Sequence, residues 1–372
     1  MMKRHIAAVL LPVLLYTSPA TAEDACRAPE PVCAARGAVF AISSFDPFAS
    51  AVRIGDDLLV TTRHSVADEA TVTITRKDGT KLTGTVRPTG HDIDLILIDA
   101  EGLAPGAVLA AGGTADAGTT LYTVGGDAGG KRVRVYPKGR VLLKPSGETA
   151  YGRLHHTAYS QPGNSGGALV DETGRLVGIV ASGGEGRYEA IPARELARLK
   201  ELSGPEFADQ SAALGGAVRR CVELLEQRSR GLVPKDWADG LFTACSTSGN
   251  RQLYDIAAQV LSRGRQPALA VKISELSVAR DPNALNTRLT LLTILHIARR
   301  FEDELPHVRF LLEHLPGEPM VHRFAIQAGK WADAPDLVEK GLELIKQHNP
   351  AQLKAAQGFL DANIPRPKLQ AQ

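Results

Sequence analysis

The sequence predicts two unlike halves: a β-rich first half folded as two small β-barrels, and an all-α second half. Residues 37–182 contain short β-branched or alternating apolar runs separated by Gly, Asp and Pro, which is typical of all-β domains. A Gly- and Ala-rich stretch at residues 105–118 divides these runs into two groups, which favours two barrels over one large sheet. Beyond Gly204 apolar residues recur at three- and four-residue steps, which indicates amphipathic helices.

The composition indicates a folded protein with more than one domain. The chain has 372 residues, 44% of them hydrophobic, and a formal net charge of +2. This apolar fraction can bury a core, which argues against disorder, and the length suggests two or three domains. The small net charge gives no reason to expect a nucleic-acid partner. The single long apolar run lies at the N-terminus, which excludes a polytopic membrane protein.

Residues 1–22 have the pattern of a secretory signal peptide. A short basic region precedes an apolar stretch of about ten residues, and Ala20 and Ala22 form an A-x-A cleavage site. The apolar stretch is too short to span a bilayer permanently, although a retained anchor is the alternative. We therefore expect a periplasmic or secreted mature chain that begins near Glu23 and has no stable membrane insertion.

The four cysteines fit an oxidising compartment. Cys26, Cys33, Cys221 and Cys245 all follow the signal segment, and an even number suggests two disulfides. Three pairings are possible, and proximity favours Cys26–Cys33, inside an N-terminal segment at residues 23–36, and Cys221–Cys245. Free buried cysteines are the alternative.

The second half, residues 205–365, has a repeat signal. Pro282, Pro316 and Pro350 recur at intervals of 34 residues, the period of tetratricopeptide repeats (TPRs), in which proline closes each helix pair. The small and aromatic positions typical of that repeat are mostly absent. We predict TPR-like helical hairpins, with an irregular helical bundle as the alternative.

Three segments of the β-rich half carry residues suited to nucleophilic catalysis. LLVTTRHSVAD presents His64 after a strand, GHDIDLILIDA places Asp94 before a buried strand, and QPGNSGGALV places Ser165 in a glycine-rich turn. Each of these residues alone is more often structural. All three together, in this order and spacing, are far rarer. The β-rich half is therefore the predicted place of the catalytic residues.

These segments resemble those of the chymotrypsin-fold serine proteases, specifically the HtrA-like branch. That family has T-x-x-H, D-[LI]-A-[LV]-L and G-N-S-G-G segments, and the likeness spans residues 37–200, within a predicted protease domain at 37–203. The resemblance implies a chymotrypsin-like double β-barrel and a serine endopeptidase acting on polypeptides. It implies His64 as general base, Asp94 as its orienting partner and Ser165 as nucleophile.

The acid has competitors in sequence. Asp92 and Asp99 flank Asp94, and the resemblance selects Asp94 because it immediately precedes the apolar run LILI. His91 beside these carboxylates could instead indicate a metal cluster, which we regard as the lesser reading.

The chemistry of these residue types agrees with the resemblance. A serine hydroxyl needs a base within hydrogen-bond reach, and a histidine can accept and return a proton near pH 7. A carboxylate holds the imidazole tautomer and stabilises the imidazolium. We expect the oxyanion hole at Gly163, Asn164 and Ser165, with the amides of Gly163 and Ser165 as donors. This chemistry requires no metal or organic cofactor.

The resemblance also places the substrate pocket. The residue six positions before the nucleophile is Tyr159, followed by Ser160, and neither is acidic, so a preference for small or medium apolar residues is predicted over Arg or Lys. Ala181, Ser182 and Gly183 resemble the strand that pairs with the substrate backbone.

The chain departs from typical HtrA-like proteases after the barrels, because helices replace the usual PDZ domains. The helical half is predicted to bind a protein or peptide partner, or else to stabilise the protease. A catalytically silent protease fold that acts as a scaffold, and an esterase using the same three residues, are the functional alternatives.

Overall fold

The computed structural model describes residues 26–112, 116–129, 132–147, 149–231, 235–362 and 364–368. Within them a double β-barrel of chymotrypsin-like architecture is followed by a helical domain. The predicted signal peptide lies outside the described residues. No helix in the described ranges combines the length and apolarity that crossing a membrane requires.

The first barrel is a closed ring of six antiparallel strands in the order β1-β2-β3-β6-β5-β4, closed by the pairing of β4 with β1. A short helix, α1 (Glu30–Ala35), precedes it, and α2 (Arg63–Val66) follows its third strand. The strands are β1 (Val39–Ser43), β2 (Ala49–Gly55), β3 (Leu58–Thr61), β4 (Thr71–Thr75), β5 (Lys81–Arg87) and β6 (Ile96–Asp99).

The second barrel is also closed, in the order β11-β12-β13-β10-β9-β7, because β7 returns to pair with β11. Strand β8 pairs with the part of β7 that β9 leaves open. The strands are β7 (Thr120–Gly126), β8 (Val133–Val135), β9 (Gly139–Leu143), β10 (Leu154–His156), β11 (Ala168–Asp171), β12 (Leu176–Gly184) and β13 (Arg187–Pro192).

One apolar cluster joins the two barrels, and each barrel also has a buried cluster of its own. Val52, Val60 and Leu97 of the first barrel belong to the same buried cluster as Val124 and Ile179 of the second. Successive side chains of a strand point to opposite faces, so neighbours such as Leu59 and Val60 on β3 belong to different clusters. The barrels are therefore fixed against each other, and loops from both meet along their junction.

The helical half forms hairpins with a regular spacing. Helices start at residues 251, 285, 319 and 353, so successive starts differ by 34 residues. Pro282, Pro316 and Pro350 each come two residues after a helix ends, at positions where a proline cannot continue the helix. The helices are α3 (Glu195–Glu201), α4 (Ala208–Ser229), α5 (Trp237–Thr247), α6 (Arg251–Arg263), α7 (Pro267–Arg280), α8 (Leu285–Ile297), α9 (Phe301–His314), α10 (Pro319–Trp331), α11 (Pro335–His348) and α12 (Leu353–Asp361).

The structure contains both disulfides that sequence proximity favoured. Cys26 is joined to Cys33, with 5.9 Å between their Cα atoms, and Cys221 to Cys245, with 4.8 Å. The second bond ties α4 to the end of α5. The described residues contain no free cysteine.

Polar contacts attach the helical domain to the barrels. Arg219 on α4 forms ion pairs of 2.6 Å with both Asp68 and Glu69, just after α2. Arg251 at the start of α6 is almost fully buried and pairs with Glu189 on β13 and with Asp281. Removing one partner of such a buried pair is strongly destabilising, so these contacts hold the two halves in a fixed arrangement.

Candidate active site

His64 and Asp94 meet because β3 and β6 pair. Thr61 at the end of β3 lies opposite Ile96 at the start of β6, so the chain after β3 runs beside the chain before β6. The Nδ1 atom of His64 lies 2.8 Å from Oδ2 of Asp94, and the backbone N–H of His64 donates to Oδ1 at 2.9 Å. Two contacts therefore orient the carboxylate toward the imidazole.

The charges of the pair shift both groups toward the ionised forms. Burial acts to lower the pKa of His64, but the charge of Asp94 and its hydrogen bond outweigh burial and raise that pKa above 6.5. Burial acts to raise the pKa of Asp94, and the interaction with His64 outweighs it, so the net pKa lies below its usual value. Asp94 thus remains a carboxylate that favours an imidazolium beside it.

The two other carboxylates considered as partners of His64, Asp92 and Asp99, contact other residues. Asp92 accepts a hydrogen bond from the Tyr151 hydroxyl and lies 3.7 Å from His91. The interaction with His91 lowers the pKa of Asp92 to about 2, despite partial burial. Asp99 pairs with Arg87. Of the three carboxylates, Asp94 is the one that contacts His64.

No metal site replaces this arrangement in the described part of the chain. No group of three or more His, Cys, Asp or Glu side chains there is arranged to hold an ion. His91 instead lies between Asp92 and Glu195, with each nitrogen–oxygen distance 3.7 Å.

The turn that carries Ser165 is held by both barrels. Ser50 on β2 donates its hydroxyl to the carbonyl of Gly163 at 2.6 Å, and its backbone N–H donates to the carbonyl of Ser165 at 2.8 Å. Asn164 is fully buried and donates from its side chain to the carbonyl of Gly126 on β7 at 2.8 Å. The turn thus sits at the junction of the barrels, on the same side as β3.

Glycine is required at two positions of this turn. Gly163 has φ of +97° and Gly166 has φ of +80°, in the left-handed region that favours glycine. A Cβ atom on Gly166 would lie 2.1 Å from the carbonyl oxygen of Ser50 and 2.2 Å from the hydroxyl of Thr61. This contact places Gly166, and so the turn, directly against the end of β3 that leads to His64.

Two amides of the turn have no acceptor among the described residues. The N–H of Asn164 donates to Gln161 and that of Gly166 to Val180, whereas the N–H groups of Gly163 and Ser165 donate to no protein atom. Of the three residues predicted for the oxyanion hole, Gly163 and Ser165 therefore keep free donors. The Ser165 hydroxyl likewise has no hydrogen bond to His64 within the described residues.

A residue of the helical domain completes the surroundings of Asp94. The side-chain amide of Asn250 donates to Oδ2 of Asp94 at 2.8 Å and lies 3.0 Å from Nδ1 of His64. Its own carbonyl oxygen accepts the N–H of Leu253 at 2.8 Å, which caps α6. Sequence reasoning missed Asn250. An asparagine before a periodic helix signals a cap, but nothing in the local pattern signals a contact 156 residues away.

The residues predicted for the substrate pocket lie around one region of the second barrel. Tyr159 is 43% exposed, and its ring centroid lies 6.0 Å from that of Tyr188, which is opposite Gly183 in the β12–β13 pairing. Ser160 contacts Thr123 at 3.0 Å.

The remaining two pocket residues continue along β12. Ala181 is buried, and Ser182 donates to Glu189 at 3.1 Å. Because Glu189 is paired with Arg251, its charge is already compensated. The preference of the pocket for apolar residues stays a prediction.

One family model matches part of the β-rich half. Residues 49–179 match the family model described as the trypsin-like peptidase domain, and the matched range contains His64, Asp94 and Ser165. No curated protein matches the chain. The matched range is therefore similar to a trypsin-like peptidase domain, and the model does not cover the helical region that follows.

Solved structures of proteases are similar to the β-rich half. They include the Rv3671c protease in its inactive form (21% identity, TM-score 0.41, covering 48% of this chain and 98% of that chain) and a serine-to-alanine mutant of Rv3671c from M. tuberculosis H37Rv, also inactive (22%, 0.41, 46% and 89%). A third is the HtrA-type protease AlgW, a serine-to-alanine variant with a tripeptide (22%, 0.40, 46% and 61%).

Proposed function

We propose that this trypsin-like peptidase domain is a serine endopeptidase, exported by residues 1–22 and acting in the periplasm or outside the cell. In this proposal His64 is the general base, Asp94 orients it and Ser165 is the nucleophile. The observation that carries the proposal is the contact of 2.8 Å between His64 and a buried Asp94, beside a serine turn that both barrels hold in place. The two disulfides are compatible with an oxidising compartment.

The first chemical step uses the polarised imidazole. Nε2 of His64 takes the proton of the Ser165 hydroxyl as its oxygen attacks the carbonyl carbon of the substrate. Nδ1–H of His64 donates to Asp94, which holds the tautomer and stabilises the imidazolium. The hydrogen bond between nucleophile and base is often long in unliganded hydrolases and tightens when substrate binds.

The free amides of the serine turn fit the charge that develops next. The N–H groups of Gly163 and Ser165 would donate to the oxyanion of the tetrahedral intermediate, and each such donor contributes roughly 3 kcal/mol in other hydrolases. His64 then protonates the leaving amine, and an acyl-enzyme remains on Ser165. Water, activated by the same imidazole, hydrolyses this ester and restores the enzyme.

An open strand edge beside the serine turn suits a peptide substrate. Strand β12 pairs with β11 only as far as Ile179, and the carbonyl of Val180 accepts the N–H of Gly166. From Ser182 to Gly184 the strand pairs with β13 on one side, and no strand of the described residues pairs with its other side. An extended peptide can add to this edge through main-chain hydrogen bonds. With a compensated Glu189 nearby, the pocket is proposed to accept small or medium apolar residues.

The direct test is labelling by a fluorophosphonate, which reacts with an activated serine. The wild-type protein should be labelled and should cleave an unfolded protein substrate. Ser165→Ala should lose labelling and about a thousandfold or more of the turnover. Ser44→Ala is the control, because it removes an exposed hydroxyl of the first barrel whose side chain donates to the Thr71 carbonyl.

The outcomes distinguish three hypotheses: an endopeptidase, an esterase and a catalytically silent scaffold. Labelling with peptide turnover supports the endopeptidase, whereas labelling with turnover of esters alone supports the esterase. A protein that folds, carries both disulfides and is labelled under no condition refutes the proposal and favours a silent scaffold. The scaffold is tested because Ser165 has no hydrogen bond to His64 in this structure, as expected of a protease fold without catalytic activity.

A further inference from the structure

A groove separates the tip of the β12–β13 hairpin from the helical domain. Its volume is about 460 Å³, within the range of ligand-binding clefts. One wall consists of residues 182–185 with Arg187 and Glu189, and the other consists of faces of α6 and α8. The groove therefore starts where the open edge of β12 ends.

The open edge of β12 and this groove share three residues. Ser182, Gly183 and Gly184 belong both to the unpaired edge of β12 and to the groove lining. A Cβ atom added at Gly184 would meet nothing within 4 Å, so the face of the strand is open there. A chain that adds to the edge beside Ser165 and continues in the same direction must enter the groove.

The helical wall presents apolar side chains to solvent. Ile256 on α6 is 38% exposed and Ile297 at the end of α8 is 57% exposed, and both line the groove together with Leu289 and Met320. These two are among only six large hydrophobic side chains that are exposed in the described part of the chain. Their position opposite an open strand edge suits the apolar side chains of an extended peptide.

The two walls are fixed relative to each other. Arg187 on β13 pairs with Glu318 at 2.9 Å and contacts Asn286 at 3.3 Å, while Asn286 also donates to Glu189 at 3.0 Å. Behind them Arg251 joins Glu189 to the helical domain. The groove is thus formed before any ligand arrives, which reduces the entropy lost on binding.

We propose that this groove is an extended substrate site, which binds the part of a polypeptide N-terminal to the bond that is cut and selects apolar residues there. The proposal rests on the proposed function. The direction follows from antiparallel addition: β12 runs away from the serine turn, so a peptide antiparallel to it enters from the groove and reaches Ser165 with its C-terminal side. The helical domain then forms half of the substrate site.

The test compares peptides of different reach on the full chain. One internally quenched peptide has two residues before the cleaved bond, a second has eight that include leucine at the distal positions, and a third carries the same extension after the bond. Ile297→Glu and Ile256→Glu place a charge in the groove. Ile364→Glu is the matched control, because this isoleucine is 43% exposed and lies outside the groove lining.

We expect the peptide extended before the bond to have a kcat/KM at least tenfold above that of the short peptide. Ile297→Glu and Ile256→Glu should remove this advantage and leave the other two peptides unchanged, while Ile364→Glu changes none of the three. An equal effect on all peptides, or none, overturns the proposal.

If no peptide is cleaved and Ser165 is not labelled, the proposed function fails instead. Binding of the fluorescently labelled long peptide to Ser165→Ala then still tests the groove. Binding that Ile297→Glu leaves unchanged overturns the groove proposal, and binding that it weakens supports the groove as a peptide site.

Discussion

Replacing Asn250 tests whether the helical domain positions Asp94, the carboxylate proposed to orient His64. Asn250→Ser keeps an oxygen that can cap α6, but the shorter side chain loses the amide that donates to Asp94. A hydrogen bond to a charged group contributes about 1.5–3 kcal/mol. Because Asp94 retains both contacts from His64, we take the lower figure, which corresponds to about a tenfold loss of kcat/KM at pH 7.

The pH profile distinguishes positioning from simple destabilisation. Without the donor, the negative charge of Asp94 is less well compensated, so it favours the imidazolium and raises the pKa of His64 further. Since only neutral His64 acts as a base, the acid limb of kcat/KM should move to higher pH, by up to about one unit for 1.4 kcal/mol. Activity should therefore recover in part at alkaline pH.

A neighbouring substitution supplies the control. Ser248→Ala removes a hydroxyl that donates to Cys245 and accepts the N–H of Asn250, but it leaves the Asn250 side chain intact. Ser248→Ala should lower the melting temperature of the protein without shifting the pH profile of kcat/KM. If Asn250→Ser shows wild-type kcat/KM and a wild-type acid limb, the positioning role is refuted.

Three further predictions concern the same site. In Ser165→Ala, NMR titration should give His64 a pKa above 6.5, and a value at or below 6.5 would contradict the ion-pair geometry. Converting Cys221 and Cys245 to serine should lower the free energy of unfolding by about 3 kcal/mol and reduce labelling by fluorophosphonate, and an unchanged denaturation midpoint would count against the crosslink. Gly166→Ala should abolish labelling, because its Cβ overlaps Ser50 and Thr61 at a positive φ that costs about 1–3 kcal/mol more for alanine; retained labelling would show that the turn can adjust.

Periodic features of the fold were predictable from sequence. The proline interval of 34 residues anticipated the spacing of the helical hairpins, because each proline marks the end of a second helix. Alternating apolar runs predicted most strands of both barrels. Strands β2, β7 and β13 were not predicted. Neither was α5, whose sequence WADGLFTACST has a glycine and several β-branched or small residues that weaken a helical pattern.

Residues of the candidate site could be predicted from sequence only where they lie in a local motif. The segments around His64, Asp94 and Ser165 have recognisable motifs, so their resemblance to a family could be stated. The contacts of Ser50 and Asn250 join residues 113 and 156 positions apart, and side chains of this kind are common in turns and helix caps. No periodicity encodes such pairs, and only the folded chain brings them together.

Because Asn250 follows the barrels in the chain, its hydrogen bond to Asp94 can form only after the barrels have been synthesised. A ribosome completes both barrels, including Ser165, before it reaches residue 250, so a nascent or truncated chain has the histidine and the aspartate without this donor. The loop that carries Asn250 follows Cys245, whose crosslink to Cys221 forms only under oxidising conditions. Under the proposed function, the enzyme reaches its full rate after translation and export, which spares cytosolic proteins from cleavage.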